Sequence, residues 1–302
     1  MKQIILTEKF DYFSLQEYVD KIILDDNTLF RNEEISKEFD KYINKLSKYN
    51  PAAIFYFLVS SFESELNDSN LMEKHLISPI EINKHNVLYD NFNLTHKRIK
   101  DIHDFVTNGK IEYEYRQNDV RVSAFNKERT EETIFWYGAK PQDIKNFLED
   151  YINIYKKNNP STLHNNPFLK SALIHLLLVR IHPFSDGNGR TARMIHNMKL
   201  TEMINKIYGY KLKIAPLHIS PSLYLHQFDY TRKIDNIHFG LDKDTNEELN
   251  RWFQFIINRY EDQLFYMNRS LSNNERALDN ISNMNTSEND FYQDAITLSR
   301  KK

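Results

Sequence analysis

The chain contains no cysteine, which removes disulfides, thiolate metal sites and cysteine nucleophiles from consideration. Glycine is scarce as well, at 6 residues in 302, where an average protein carries roughly 7%. Long apolar runs are missing: the opening stretch MKQIILTEKFDYFS has only three consecutive aliphatic residues, too few for a signal-peptide core or a membrane span. An excess of one charge is missing too. The 40 Lys and Arg residues face 42 Asp and Glu, for a net charge of -2, which argues against a broad nucleic-acid footprint, and no basic helix-turn-helix signature is present. What remains is 40% hydrophobic and 27% charged, the profile of a soluble cytoplasmic protein able to bury a sizeable core in one large domain or two smaller ones. Self-association is compatible with that profile.

With so few helix breakers, the chain reads as mostly α. The spacing predicts a helix over Pro51 to Leu66, with Ile54, Phe55, Leu58, Phe62 and Leu66 on one stripe and Asp68-Ser69 marking its end. A second helix is expected over Leu94 to Thr107, where Ile99, Ile102, Phe105 and Val106 recur and Gly109 stops the run. Alternation then predicts two strands. One lies in Glu112 to Val122 (Tyr113, Tyr115, Val120, Val122) and the other at Thr133 to Tyr137, forming a hairpin around the polar tip Asn126 to Glu132. Helical periodicity returns at Asp143 to Tyr155. Asn166-Pro167 opens FLKSALIHLLLVRI, apolar almost all round and therefore central, which Pro183 ends at His182.

A further helix is expected from Asn188 or Gly189, another from Ser220-Pro221 through LYLHQFDYTRKIDNI, and a last one over Glu247 to Met267. Beyond Ser270 apolar content thins, which predicts a loosely docked tail. The organisation expected is an N-terminal helical region (1–93), a core (94–234), and a C-terminal helix with a polar tail (235–302). No internal repeat is visible.

Against this glycine-poor background, two of the six glycines flank Asn188 within His182-Pro183-Phe184-Ser185-Asp186-Gly187-Asn188-Gly189-Arg190-Thr191-Ala192-Arg193. Glycines allow successive backbone N–H groups to converge, and a helix that starts at once adds the positive end of its dipole, so the loop is suited to an anion. Arg190 and Arg193 share a helix face, and their forks match phosphate oxygens. Asp186 offers a hard oxygen ligand for Mg²⁺, and the combination points to a di- or triphosphate, a nucleotide. An imidazole ordinarily exchanges its proton near neutral pH, so His182 can take a proton from a hydroxyl attacking phosphorus. Taken singly, a histidine after an apolar helix is an ordinary cap, Gly-Asn-Gly an ordinary turn and two helical arginines a solvated face. Their joint order favours the chemical reading.

The run His182 to Arg193 matches every specified position of His-Pro-Phe-x-Asp/Glu-Gly-Asn-Gly-Arg-x-x-Arg, and in this the chain resembles the Fic family. Tyr115-Arg116 with Val120 and Val122 is similar to that family's strand before its flap, and Lys140-Pro141 to the flap's exit. The resemblance, spread over about Leu94 to Ile234, implies a helical bundle with a small β-hairpin flap beside the active-site loop. It implies transfer of AMP from ATP to a Ser, Thr or Tyr hydroxyl of a target protein, with His182 as general base and Asp186 on Mg²⁺. Gly187, Asn188 and Gly189 would cradle the phosphates, with Arg190 and Arg193 on the remaining oxygens and Arg193 at the γ-phosphate. Phe184 would anchor the loop. Asp229-Tyr230 resembles the segment that packs on adenine in this family.

Residues 133–137 could pair with an extended target segment through main-chain hydrogen bonds. The competing expectation is a merely packed hairpin with Ile134, Phe135 and Trp136 in the core. Members of the family also carry an inhibitory helix, Ser/Thr-x-x-x-Glu-Gly/Asn, whose glutamate pairs with the second arginine. The helix over 51–66 is the candidate here. Glu63 has a small residue after it but Val59 at the Ser/Thr position; Glu65 has Ser61 four residues earlier but Leu66 after it. The small neighbour favours Glu63, and the alternative is that both are solvated. Removal of AMP by the same site, or a non-catalytic nucleotide-binding module, are the competing functions.

Overall fold

The computed structural model describes residues 2–5, 12–72, 91–109, 114–125, 128, 130–157, 162–237, 246–283 and 296–297. In chain order the elements are β1 (Lys2–Ile5), α1 (Leu15–Asp20), α2 (Asp26–Leu46), α3 (Pro51–Met72), α4 (His96–Thr107), β2 (Arg121–Phe125), β3 (Glu131–Tyr137) and α5 (Ile144–Lys156). There follow the short α6 (Thr162–Asn165), α7 (Pro167–Ile181), α8 (Asn188–Tyr208), β4 (Lys211–Leu212), α9 (Ser220–Leu225), α10 (Gln227–Asp235), α11 (Asn246–Asn273), α12 (Glu275–Asn283) and β5 (Ile296–Thr297).

α7 is the axis of the bundle because its sequence leaves it no polar face: all its residues are buried. It begins where Asn166 accepts hydrogen bonds from the Phe168 and Leu169 amides ahead of a proline at the first position, two devices that satisfy or remove orphan donors. Burying side chains such as Leu173, Ile174 and Leu177 completely contributes roughly 1.5–3 kcal/mol each. α8 packs along it, and α11 locks on from the other side, where the Trp252 indole donates to the Ala172 carbonyl at 3.0 Å. A single connected core runs from Leu15 in α1 to Leu278 in α12.

The expected helices over 94–107, 143–155 and from 166 and 188 are present, with ends displaced by a few residues. α4 stops at Asn108, which sits in the left-handed region at φ 55° ahead of Gly109. Four expectations need correction. The helix opened by Pro51 does not end at Leu66 or Ser69 but continues to Met72, because Ser69 and Asn70 are buried and serve tertiary contacts instead of a cap. The helix opened by Ser220 breaks at His226 into α9 and α10. The polar end is not loosely docked as far as it is described: α11 reaches Asn273, and α12 buries Leu278 against the bundle.

The last correction concerns the first strand of the hairpin. Tyr113 lies outside the described residues; 114–120 are irregular and the strand is Arg121–Phe125. Tertiary bonds override the local alternation here: the Arg116 amide donates to the Pro183 carbonyl at 3.0 Å. β3 pairs antiparallel with β2 through a bulge at Val122/Ser123, and Glu132 binds both Arg121 and Ser123 across the pair. A third strand, unannounced by any local pattern, completes the sheet. β1 pairs parallel with β3 on its other side, Lys2 opposite Glu131 through Ile5 opposite Ile134, so β3 is central in a three-stranded sheet.

Candidate active site

His182 ends α7 in a left-handed conformation, φ 55° and ψ 59°, which a non-glycine residue adopts at a cost of about 1–2 kcal/mol. Three bonds hold it there. Its amide donates to the Leu178 carbonyl at 3.0 Å, its own carbonyl accepts from Arg116 Nε at 2.7 Å, and its Nδ1 lies 3.0 Å from the Val179 carbonyl. A carbonyl only accepts, so Nδ1 carries the ring proton and Nε2 is left as the basic nitrogen. Arg116 also donates to the carbonyls of Asn118 and Ala139, and burial lowers its pKa to about 10. Next to it Gly138 is obligatory: a Cβ there would lie 2.6 Å from Arg116 and 2.9 Å from His182 Cβ.

The turn after His182 is self-closed. Asn188 Oδ1 accepts from the Phe184 amide at 2.9 Å and its Nδ2 donates to the Phe184 carbonyl at 2.8 Å. Asn188, expected to cradle phosphate, thus spends its side chain on the loop. Phe184 is fully buried and stacks on His103 of α4 with ring centres 3.7 Å apart. His103 Nε2 donates to the Asp186 carbonyl at 3.1 Å, and burial lowers the pKa of this imidazole. Gly187 has φ 77°, and a Cβ on it would strike Thr107 Cγ2 at 2.6 Å. The loop is therefore clamped between α4 and α7, and α8 opens directly from it with its N-terminal dipole facing the same space.

Asp186 is half exposed; Oδ1 accepts from the Gly187 amide at 2.6 Å, and Oδ2 lies 3.6 Å from Arg190. Among the described residues no group of three His, Asp or Glu side chains could cage a metal. A single carboxylate beside an anion loop suits Mg²⁺ arriving with phosphate oxygens as its other ligands. Arg190 and Arg193 are both buried on α8. Arg190 donates to the Val106 carbonyl at 3.4 Å.

Arg193 Nε donates to Ser69 Oγ at 2.8 Å, and its terminal nitrogen donates to the Ser69 carbonyl at 2.9 Å. Of the two candidate glutamates, the structure turns Glu65 inward and leaves Glu63 exposed; the small neighbour that favoured Glu63 is outweighed by its place on the helix's outer face. Glu65 accepts from Asn197 Nδ2 at 2.8 Å and from the hydroxyl and amide of Ser220 at 2.6 and 2.8 Å. Burial raises its pKa, while the Ser220 and Asn197 bonds and the Arg193 charge oppose that rise. The space between Glu65, Ser69, Arg190 and Met194 amounts to only 10 Å³.

A larger cavity of 130 Å³ opens between the sheet and α10, lined by Val122, Trp136, His182, Gly189, Tyr230 and Met72. His182 and Tyr230, 48 residues apart in sequence, thus line one chamber. Tyr230 is held by a 2.8 Å bond to His175 Nε2. Met72 closes one side, with its carbonyl accepting from Gln227 at 2.7 Å. Sequence reasoning missed His103, Thr107, Ser69, Asn197 and Ser220. A histidine inside the apolar stripe Ile99, Ile102 and Val106 was a readable signal; the other four declare themselves only through long-range contacts.

The family model described as the Fic/DOC family matches residues 93–200. Protein adenylyltransferase fic-1 of Caenorhabditis briggsae is 31% identical over 133 residues, 44% of this chain and 21% of that protein. The match to each of the first three curated relatives covers about a fifth of the relative's length or less. In fold, the chain is similar to a Fic-domain-containing signaling protein from Bacteroides thetaiotaomicron, with TM-score 0.57 at 18% identity over 79% of this chain and 97% of that one. It is also similar to a Fic family protein from Desulfovibrio desulfuricans, with TM-score 0.56 at 16% identity over 81% and 74%. The clamped turn between α7 and α8, the helical bundle around it and the profile match agree: residues 93–200 form a Fic/DOC-type domain.

Proposed function

We propose that the protein is an adenylyltransferase that moves AMP from ATP to a hydroxyl side chain of a target protein. The observation that carries this reading is the tautomer of His182: its Nδ1 proton is committed to the Val179 carbonyl, leaving Nε2 to receive a proton in the cavity that also holds Gly189 and Tyr230. The target hydroxyl oxygen attacks the α-phosphorus, forming the new P–O bond as the bond to the bridging α–β oxygen breaks. Pyrophosphate leaves, and the hydroxyl proton passes to Nε2. The Gly187–Gly189 turn and the start of α8 receive phosphate oxygens, with Arg190 and Arg193 beneath them. Asp186 would hold Mg²⁺, which neutralises charge on the phosphate tail. Tyr230 walls the space for the base. The curated relatives are named protein adenylyltransferases, which supports this reaction over a non-catalytic module.

The same reading makes the resting chain autoinhibited. Arg193, the group assigned to the γ-phosphate, is engaged by Ser69, and Glu65 fastens the helix that carries Ser69 to α8 and α9. Glu65 acts as the anchor and Ser69 as the direct occupant. No described helix is long and apolar enough to cross a membrane, and the cytoplasm, where Mg²⁺ and ATP are at hand, is the compartment we assign. Incubation with Mg²⁺ and α-labelled ATP tests the proposal: label accumulates on protein with the Glu65→Gly chain and is absent when His182→Ala is added. Equal label on both would remove His182 from the mechanism, and no label on either would favour the binding module.

A further inference from the structure

An extended target needs a strand edge near His182 to lie on, because a sheet edge offers a ready row of N–H and C=O groups. β3 is the strand that leads there. Its end passes into Gly138, whose amide donates to Val120, and Ala139, whose amide donates to the Ile181 carbonyl one residue before His182. One side of β3 belongs to β2. The other side is taken over Glu131–Ile134 by Lys2–Ile5. β1 runs parallel to β3, so it points toward the His182 end.

We propose that β1 is a self-docked occupant of the target lane: an extended polypeptide reaches His182 by pairing with β3 in place of Lys2–Ile5, and release of β1 sets access. The proposal rests on reading His182 as the base for a protein hydroxyl. Two features suit β1 to leaving. It offers four paired residues in a parallel register, slightly less stable per residue than an antiparallel one, and it is joined covalently, so a competitor faces an effective concentration in the millimolar range. Targets that bind weakly are thereby refused.

The absence of cysteine makes a clean test. Ile4 and Thr133 are ladder partners, so the I4C/T133C chain can form one disulfide and no other. The probe is a fluorescein-labelled peptide with the sequence of residues 1–12, read by anisotropy against three forms: wild type, the chain lacking residues 1–5, and oxidised or reduced I4C/T133C. The disulfide is expected to form under mild oxidation. The shortened chain should bind the peptide at least tenfold more tightly than wild type, and the oxidised pair should bind least. Failure of the disulfide to form, or equal peptide binding by oxidised and reduced chains, overturns the proposal. That second comparison uses the full chain and decides alone should the deletion destabilise the fold. Peptide binding as expected without any AMP transfer would leave the strand's role standing and sink the transferase reading; transfer at one rate in locked and reduced chains would do the reverse.

Discussion

The loop from His182 to Arg190 and the last two turns of α3 meet across α8, yet they are held in opposite ways. The loop's bonds are spent on groups no nucleotide would use: Asn188 on the Phe184 backbone, His103 on the Asp186 carbonyl, Arg116 on the His182 carbonyl. It is formed before any ligand arrives, which lowers the ordering cost of binding. The end of α3 is held through groups assigned to the phosphate tail, above all Arg193. One region is built to stay and the other to yield. On the proposed function, reactivity is fixed in the loop and permission is lodged in α3.

The largest effect expected on the loop side is His182→Ala, which should cut AMP transfer by about 10²–10⁴-fold, the ordinary range for a general base, with ATP affinity little changed in a calorimetric titration. Loss of affinity in step with rate would make His182 a binding group and blur the contrast. Next comes Gly187→Ala, which forces a methyl against Thr107 at positive φ. ATP affinity is expected to fall about tenfold, in line with the roughly 1–2 kcal/mol of a strained left-handed residue. Adding Thr107→Ser, which deletes the opposing methyl, should return part of it. If Gly187→Ala binds ATP as wild type does, the loop is less preformed than its contacts suggest.

A smaller effect separates scaffold from site. Lys170 in α7 is fully buried, donating to the Ile154 carbonyl and to His164 Nδ1, each at 2.6 Å. Burial first, then the nearby Lys199 and Lys157 charges, push its pKa down to about 7. The unfolded chain holds this proton up to the ordinary lysine value of about 10.4, so the folded state binds fewer protons in between. This group's contribution to stability therefore rises with pH from about 7 toward 10. Melting temperatures across that window should climb more steeply in wild type than in Lys170→Met, while the ratio of their ATP affinities stays flat. A ratio that drifts with pH would mean the bundle's axis and the site are not independent.

Much of the loop was legible in sequence because its chemistry is local: base, acid, glycines and arginines fall within twelve residues, and Asn166-Pro167 and Pro183 bound the helix before them. α3 was half legible. Its apolar stripe announced a helix, but the choice between Glu63 and Glu65 depends on which face meets α8, and Ser69 signals nothing until Arg193 is across from it. β1 was invisible, since four residues pair with a strand more than a hundred positions away and no local pattern encodes that. The misplaced strand before the hairpin has the same cause, Arg116 being drawn to the loop and away from a ladder.

Autoinhibition requires α3 to stand where the end of the triphosphate belongs, and calorimetric titration of wild type and Glu65→Gly with Mg²⁺-ATP and with AMP tests that directly. Releasing the anchor should tighten ATP by about tenfold or more, the lower part of typical coupling energies of about 1–3 kcal/mol, and leave AMP binding as it was, since AMP has no phosphate that reaches Arg193. Equal tightening of both ligands, or of neither, would contradict that placement of α3.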